Sequence, residues 1–231
     1  MADQPKNLEN ITIKKVDHAT WLSQRNNFKI DLLKDFERTP EPSNQCMVSA
    51  YSSWALQFGF FANLEKWKTQ LHPETIEELI YTLVMTKVNA INAKIPDKNK
   101  WTDRFHGEHF RNVFNEWLKE SNWQMSFAVA TIEKVKSIID TGQAIVVGTN
   151  ISKYLRGASG HIQTCVGYYE ETTTKKLLGL IMEDPFGDCE TNYVNRNGQD
   201  RFYKTETVIN LFTPCSKDDR RLISYAVKTK G

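Results

Sequence analysis

Gly142-Gln143-Ala144-Ile145-Val146-Val147-Gly148 is the stretch at which the pattern of this chain changes. Ala144 to Val147 is a short apolar run bounded by glycines, the signature of a buried strand. Downstream the signals stay strand-like. Ile162 to Tyr168 alternates, Leu177 to Met182 is a further strand, and the biased stretch Glu170 to Lys176 between them reads as a hairpin tip. Asp184-Pro185-Phe186-Gly187-Asp188 is a turn by composition, while Arg201 to Lys204 and Leu222 to Val227 read as later strands.

Upstream of Gly142 the period is helical. Met47, Val48, Ala50, Tyr51, Trp54, Ala55 and Phe58 recur at three-to-four spacing before Gly59 offers a stop. Pro73 starts a second helix with Ile76, Leu79, Ile80, Leu83, Val84, Val88 and Ile91 on one stripe, and Pro96 ends it. A third helix is expected around Phe110 to Leu118. A fourth runs from a Thr131 cap through Ile132, Val135, Ile138 and Ile139 to Gly142. Helices first and an antiparallel sheet after them define an α+β chain, because the two kinds of element alternate too little for a Rossmann arrangement.

Composition limits the function classes. The 231 residues are 40% hydrophobic and 25% charged, with 30 basic and 28 acidic side chains, which excludes a disordered chain and suffices for a sizeable core. A formal charge of +2 argues against nucleic acid as a partner. The 11% aromatic content, with six Trp, points to a well-filled core or an aromatic-lined cleft. No run reaches the roughly 18 apolar residues of a membrane helix, and the polar start Met1-Ala2-Asp3-Gln4-Pro5-Lys6 does not read as a secretory signal. The expectation is cytoplasmic synthesis with reduced thiols and no membrane insertion.

The four cysteines, Cys46, Cys165, Cys189 and Cys215, lack the paired spacing of a zinc site or a disulfide scaffold, so any of them is available as a nucleophile. Cys46 stands directly before the first helix. There the macrodipole and unpaired backbone N–H groups favour thiolate, and the same N–H groups suit the oxyanion of a tetrahedral intermediate. His161 opens the alternating strand and shares its face with Gln163, Cys165 and Gly167. Asp184 follows the next strand. If the two strands are neighbours, Asp184 and His161 lie at adjoining strand ends, where a carboxylate would fix the imidazole tautomer and support an ion pair with Cys46. Taken singly, each has a structural explanation: a small buried hydrophobe, a hydrogen-bonded histidine, and a carboxylate capping its own turn. His106-Gly107-Glu108-His109 has histidines at i and i+3 without a third ligand, and reads as a solvated helix start or groove wall, not a metal site.

Gly160-His161-Ile162-Gln163-Thr164-Cys165-Val166-Gly167-Tyr168, followed by a strand ending Glu183-Asp184-Pro185-Phe186-Gly187-Asp188, resembles the C39-like branch of the papain-fold cysteine peptidases. Tyr193, Asn197-Gly198, Ser23-Gln24-Arg25-Asn26-Asn27 upstream, and Cys46 with Ser49-Ala50 extend the resemblance over roughly residues 20 to 212. It implies Cys46 as nucleophile, His161 as general base and acid, Asp184 as orienting carboxylate and Gln24 as the oxyanion-hole side chain, with Gln45 as the alternative. The chain departs from the family pattern in Met47, in the long separation of Gln24 from Cys46, and in the long helical stretch from Gly59 to Ala130.

The resemblance further implies one papain-like domain over 1–231, with a helical lobe at about 46–141 packed on an antiparallel β-sheet lobe at about 142–231. The expected activity is hydrolysis of a peptide bond in a peptide or protein substrate, without metal or organic cofactor. Bacterial cell-wall peptide is one candidate substrate, so a phage-type cell-wall endopeptidase and a processing protease are the expected classes. The rival readings are a catalytically inactive interaction protein that sequesters a partner and a transglutaminase-like acyl transferase.

Overall fold

A computed structural model describes residues 9–17, 21–24, 46–58, 86, 90, 93, 115, 122–158, 160–217 and 221–228. The strands are β1 (Ile11–Lys15), β2 (Trp123–Val129), β3 (Ile145–Asn150), β4 (Gly160–Glu171), β5 (Leu177–Glu183), β6 (Arg201–Lys204) and β7 (Leu222–Lys228). The described helices are α1 (Cys46–Leu56), α2 (Ile132–Ile139) and α3 (Thr205–Phe212), with a 3-10 turn at Cys189–Thr191. One seven-stranded sheet runs in the order β2-β7-β3-β4-β5-β6, with β1 added beside β4. Each pairing is antiparallel. The α+β class expected from the periodicity is what forms.

The long strand β4 organises the sheet. Its first half pairs with β3, Ile145 opposite Cys165 through Asn150 opposite Gly160, and its second half pairs with β1. Its other edge takes β5, with Thr164 opposite Glu183. A register shift between Cys165 and Gly167 bends the strand where β1 joins. Gly167 is required there, because a Cβ would lie 2.3 Å from the Lys14 carbonyl oxygen.

Alternation along the strands splits the apolar side chains into two cores. One face buries Val146, Val166, Ile181, Phe202 and Ala226 against Val48, Ala50, Tyr51, Trp54 and Ala55 of α1. The other buries Ile145, Val147, Cys165, Leu180, Met182 and Tyr203 against Val135, Ile138 and Ile139 of α2 and Val208 and Leu211 of α3. The first helix is buried from Val48 through Ala55, serines included, as a helix covered on every side must be. Its small residues bring its backbone close to the sheet. Thr164 Oγ1 donates to the Ala50 carbonyl at 3.1 Å, and Tyr51 Oη lies 2.7 Å from Ser224 Oγ. The second helix is an ordinary amphipathic one: Thr131 caps it by accepting from Lys134 N at 3.1 Å, and Val135, Ile138 and Ile139 form its inner stripe.

Several elements differ from the sequence pattern. The strand β2 lies inside the stretch 46–141 read as helical. Trp123, Met125, Phe127 and Val129 alternate there, and the strand pairs with β7 from Trp123 opposite Lys228 to Val129 opposite Leu222. Period two over seven residues was masked by the helical signals on either side. Neither β1 nor α3 is anticipated by the pattern, since five and eight residues carry too little periodicity to stand out. The helices expected at 73–91 and 110–118 lie outside the described residues, apart from Thr86, Ala90 and Asn115, which are helical. No helix among the described residues is long and apolar enough to cross a membrane.

Candidate active site

The antiparallel register of β4 and β5 brings His161 and Asp184 together. With Thr164 opposite Glu183, Asp184 emerges from β5 beside Gln163 and reaches back to the start of the neighbouring strand. His161 Nε2 lies 2.6 Å from Asp184 Oδ1. The two side chains are 4% and 0% exposed, so this pair is out of water. A carboxylate only accepts, so Nε2 carries the proton and Nδ1 is left to face the thiol. The imidazole is also in hydrogen-bond contact with the side chain of Cys46.

Cys46 is the first residue of α1, the helix that packs on one face of the sheet. Its side chain is half-buried, whereas Cys165 and Cys189 are buried and Cys215 is exposed. Burial pushes the Cys165 thiol up to about 12 and the Cys189 thiol higher still, so neither forms thiolate near neutrality. Burial also works against a charge on His161. The Asp184 carboxylate and the Cys46 sulfur outweigh it by field and by hydrogen bond, and the imidazole is pushed from 6.5 up to about 10. The arrangement favours the imidazolium form of His161.

Asp184 is the most heavily bonded side chain of the site. Oδ1 accepts from His161 and from Phe186 N at 2.9 Å. Oδ2 accepts from Gln163 Nε2 at 2.8 Å, Tyr193 Oη at 3.3 Å and Tyr203 Oη at 3.5 Å. The bond from Phe186 N is the turn cap that Asp-Pro predicts, so Asp184 caps its turn and holds the histidine at once. Its backbone is fixed as well: Asp184 N donates to the Gly198 carbonyl at 2.9 Å, and Trp21 Nε1 donates to the Asp184 carbonyl at 3.1 Å. A Cβ on Gly198 would sit 1.9 Å from that same carbonyl oxygen. Tyr193 and Phe186 meet the His161 ring edge-on at 6.1 and 6.5 Å, which walls the imidazole with aromatic edges. Tyr193 adopts φ 62, a left-handed backbone that is unusual for a bulky residue.

Gln24 is brought to the same turn. Its backbone N donates to the Pro185 carbonyl at 3.0 Å, and Ser23 Oγ donates to that oxygen at 3.4 Å, so the buried residues 22–24 lie against the Asp184-Pro185 turn. Gln45 and the His106–His109 stretch lie outside the described residues. Among the described residues no group of three or more His, Cys, Asp or Glu is placed to hold a metal ion. Gln163, Tyr203 and the wall residue Phe186 are site neighbours that the motif reading does not assign a part. Only Gln163 had a visible signal, as the polar residue two places after His161 on one strand face.

Residues 18–209 match the Peptidase_C39 like family, and the chain belongs to it. The match takes in Gln24, Cys46, His161 and Asp184 and most of the sheet. Membership makes cysteine peptidase the class of activity for this chain. No curated protein matches it by sequence.

Proposed function

We propose that the chain is a papain-like cysteine peptidase whose catalytic residues are Cys46, His161 and Asp184, with Gln24 at the oxyanion hole. The observation that carries this reading is the position of His161, bonded to Asp184 at 2.6 Å and in contact with Cys46 at the head of a buried helix. The Cys46 thiolate attacks the carbonyl carbon of the scissile amide. The negative oxygen of the tetrahedral intermediate is met by backbone N–H groups at the start of α1 and by the Gln24 amide. As the C–N bond breaks, imidazolium Nδ1 gives its proton to the departing amine and a thioester remains. His161, now neutral, takes a proton from water, hydroxide adds to the thioester, and Cys46 leaves as thiolate facing an imidazolium again. Asp184 stays ionised throughout and holds the tautomer.

The single domain is read as papain-like, with α1 as the nucleophile helix packed on the sheet that supplies His161 and Asp184. Its partner is a peptide or protein substrate, with bacterial cell-wall peptides the first class to try and processing of a cytoplasmic protein the second. The test is iodoacetamide labelling of the native chain from pH 4 to 9, mapped by peptide mass spectrometry and repeated on His161→Ala. Labelling of Cys46 well below the free-thiol value of about 8.5, lost without His161, is the expected result. Labelling of Cys46 no faster than exposed Cys215 would sink the proposal and leave a partner-binding protein on a peptidase fold. Product analysis with an added amine then separates hydrolysis from acyl transfer.

A further inference from the structure

We propose that Gln163 is a positioning residue of this site, fixing the rotamer of Asp184 from which Oδ1 meets His161. The inference rests on the Cys46–His161–Asp184 reading above. Gln163 is fully buried, two residues after His161 on the same strand face, in a core otherwise built there from Cys165, Met182 and Tyr203. Its Nε2 donates to Asp184 Oδ2 at 2.8 Å, the shortest of the three bonds to that oxygen. Its Oε1 is buried and has no hydrogen-bond partner among the described residues. A buried amide with one orphaned end is a poor stabiliser, since the desolvation of the unpaired carbonyl offsets a hydrogen bond made by the other end. Packing alone would favour an apolar side chain of the same volume. What the amide supplies is a short, neutral donor on the carboxylate oxygen that points away from the imidazole.

The geometry explains why such a donor matters. A carboxylate held only through Oδ1 can rotate about its last torsion, which for Asp is broad and weakly restrained. Gln163 closes that freedom from β4, while Tyr193 and Tyr203 add longer bonds from the segment after β5 and from β6. Both phenols are pushed far above their ordinary range, by burial first and then by Asp184, so they remain protonated donors. The titratable groups facing the His161–Asp184 pair are thus Cys46 from α1, Tyr193 and Cys189 from the segment after β5, and Tyr203 from β6.

The experiment is the rate of Cys46 alkylation by iodoacetamide against pH, in the wild type, Gln163→Met and Gln163→Glu. Met keeps the volume and removes the donor. The expected result is roughly tenfold slower alkylation at neutral pH, with the alkaline limb of the profile displaced to lower pH because a loosened Asp184 holds the His161 proton less firmly. Thermal stability should be unchanged or raised, since the orphaned carbonyl is gone. Glu keeps the shape but sets a second carboxyl against Asp184, so its profile gains an extra ionisation step absent from the wild type. Profiles of both variants that superimpose on the wild type would overturn the inference and leave Gln163 as packing. Should Gln163→Met fail to fold, Gln163→Glu decides alone. A wild type without selective Cys46 labelling fails the underlying peptidase reading instead, a result distinct from superimposed profiles.

Discussion

Glu183 and Asp184 are neighbours in the chain and both buried, yet they face opposite sides of the sheet and meet different partners. Glu183 points toward α1, where Ser53 Oγ donates to it at 3.1 Å. Burial and the Asp200 carboxylate raise it from 4.5 to about 7, against the lowering effects of Ser53 and Lys15. Asp184 points into the other core and gathers hydrogen-bond donors from β4, β6, its own turn and the segment that follows. Its charge is passed on to His161, which is held far up its range. Burial is common to both carboxylates. The difference lies in the dipoles each one meets, and one residue of strand alternation decides which face that is.

The sharpest way to break this contrast is Asp184→Asn, which keeps the shape and removes the charge. It should lower peptidase kcat by about 10²- to 10⁴-fold and move the alkaline limb of Cys46 alkylation to lower pH, since the imidazole loses its anion. An unchanged limb would show that the network positions His161 without acting on its charge. Gly198→Ala attacks the same residue through the backbone. With a Cβ 1.9 Å from the Asp184 carbonyl oxygen, the turn must shift, and a loss of about 3 kcal/mol in urea unfolding is expected, with activity falling in parallel. A fully stable Gly198→Ala protein would mean that the turn yields at little cost.

Glu183→Gln tests the other face and carries the smallest effect. A carboxyl raised in the folded state binds its proton more tightly there than in the unfolded chain. Its contribution is therefore full below pH 4.5 and is lost as pH rises to about 7. The wild type should lose about 2 to 3 kcal/mol of stability across that window from this group, whereas Glu183→Gln should not. Urea titrations at pH 4.5, 6 and 8 read the difference directly, and parallel curves for the two proteins would remove Glu183 from the account. Cys46 alkylation should be little affected by this substitution, because Glu183 lies across the sheet from the imidazole.

Legibility followed how local each signal is. Cys46 at a helix start, His161 at a strand mouth and Asp184 at a Pro turn are each written in a few adjacent residues. The strand β4, the helix α2 with its Thr131 cap and the hairpin tip after Glu170 are equally local. The strand β2 was hidden because its alternation sits between helical segments, and β1 because five residues are too few to show a period. Tyr203 could not be tied to Asp184 from the sequence. That link depends on the pairing of β5 with β6, Leu180 opposite Tyr203, and the chain gives no local sign of it.

By itself, then, the sequence determined the strands β3 to β7, the helices α1 and α2, the two-faced alternation of the sheet and the residue types able to carry thiol chemistry. Those properties follow from periodicity, turn chemistry and side-chain chemistry, which act over a few residues. Only the tertiary structure decided that the thiol, the imidazole and the carboxylate share one point, and that Gln163 and two tyrosines converge on Asp184. Register between strands far apart in the chain sets those contacts. A slip of one residue in β5 would turn Asp184 to the face of Glu183 and leave His161 without its partner.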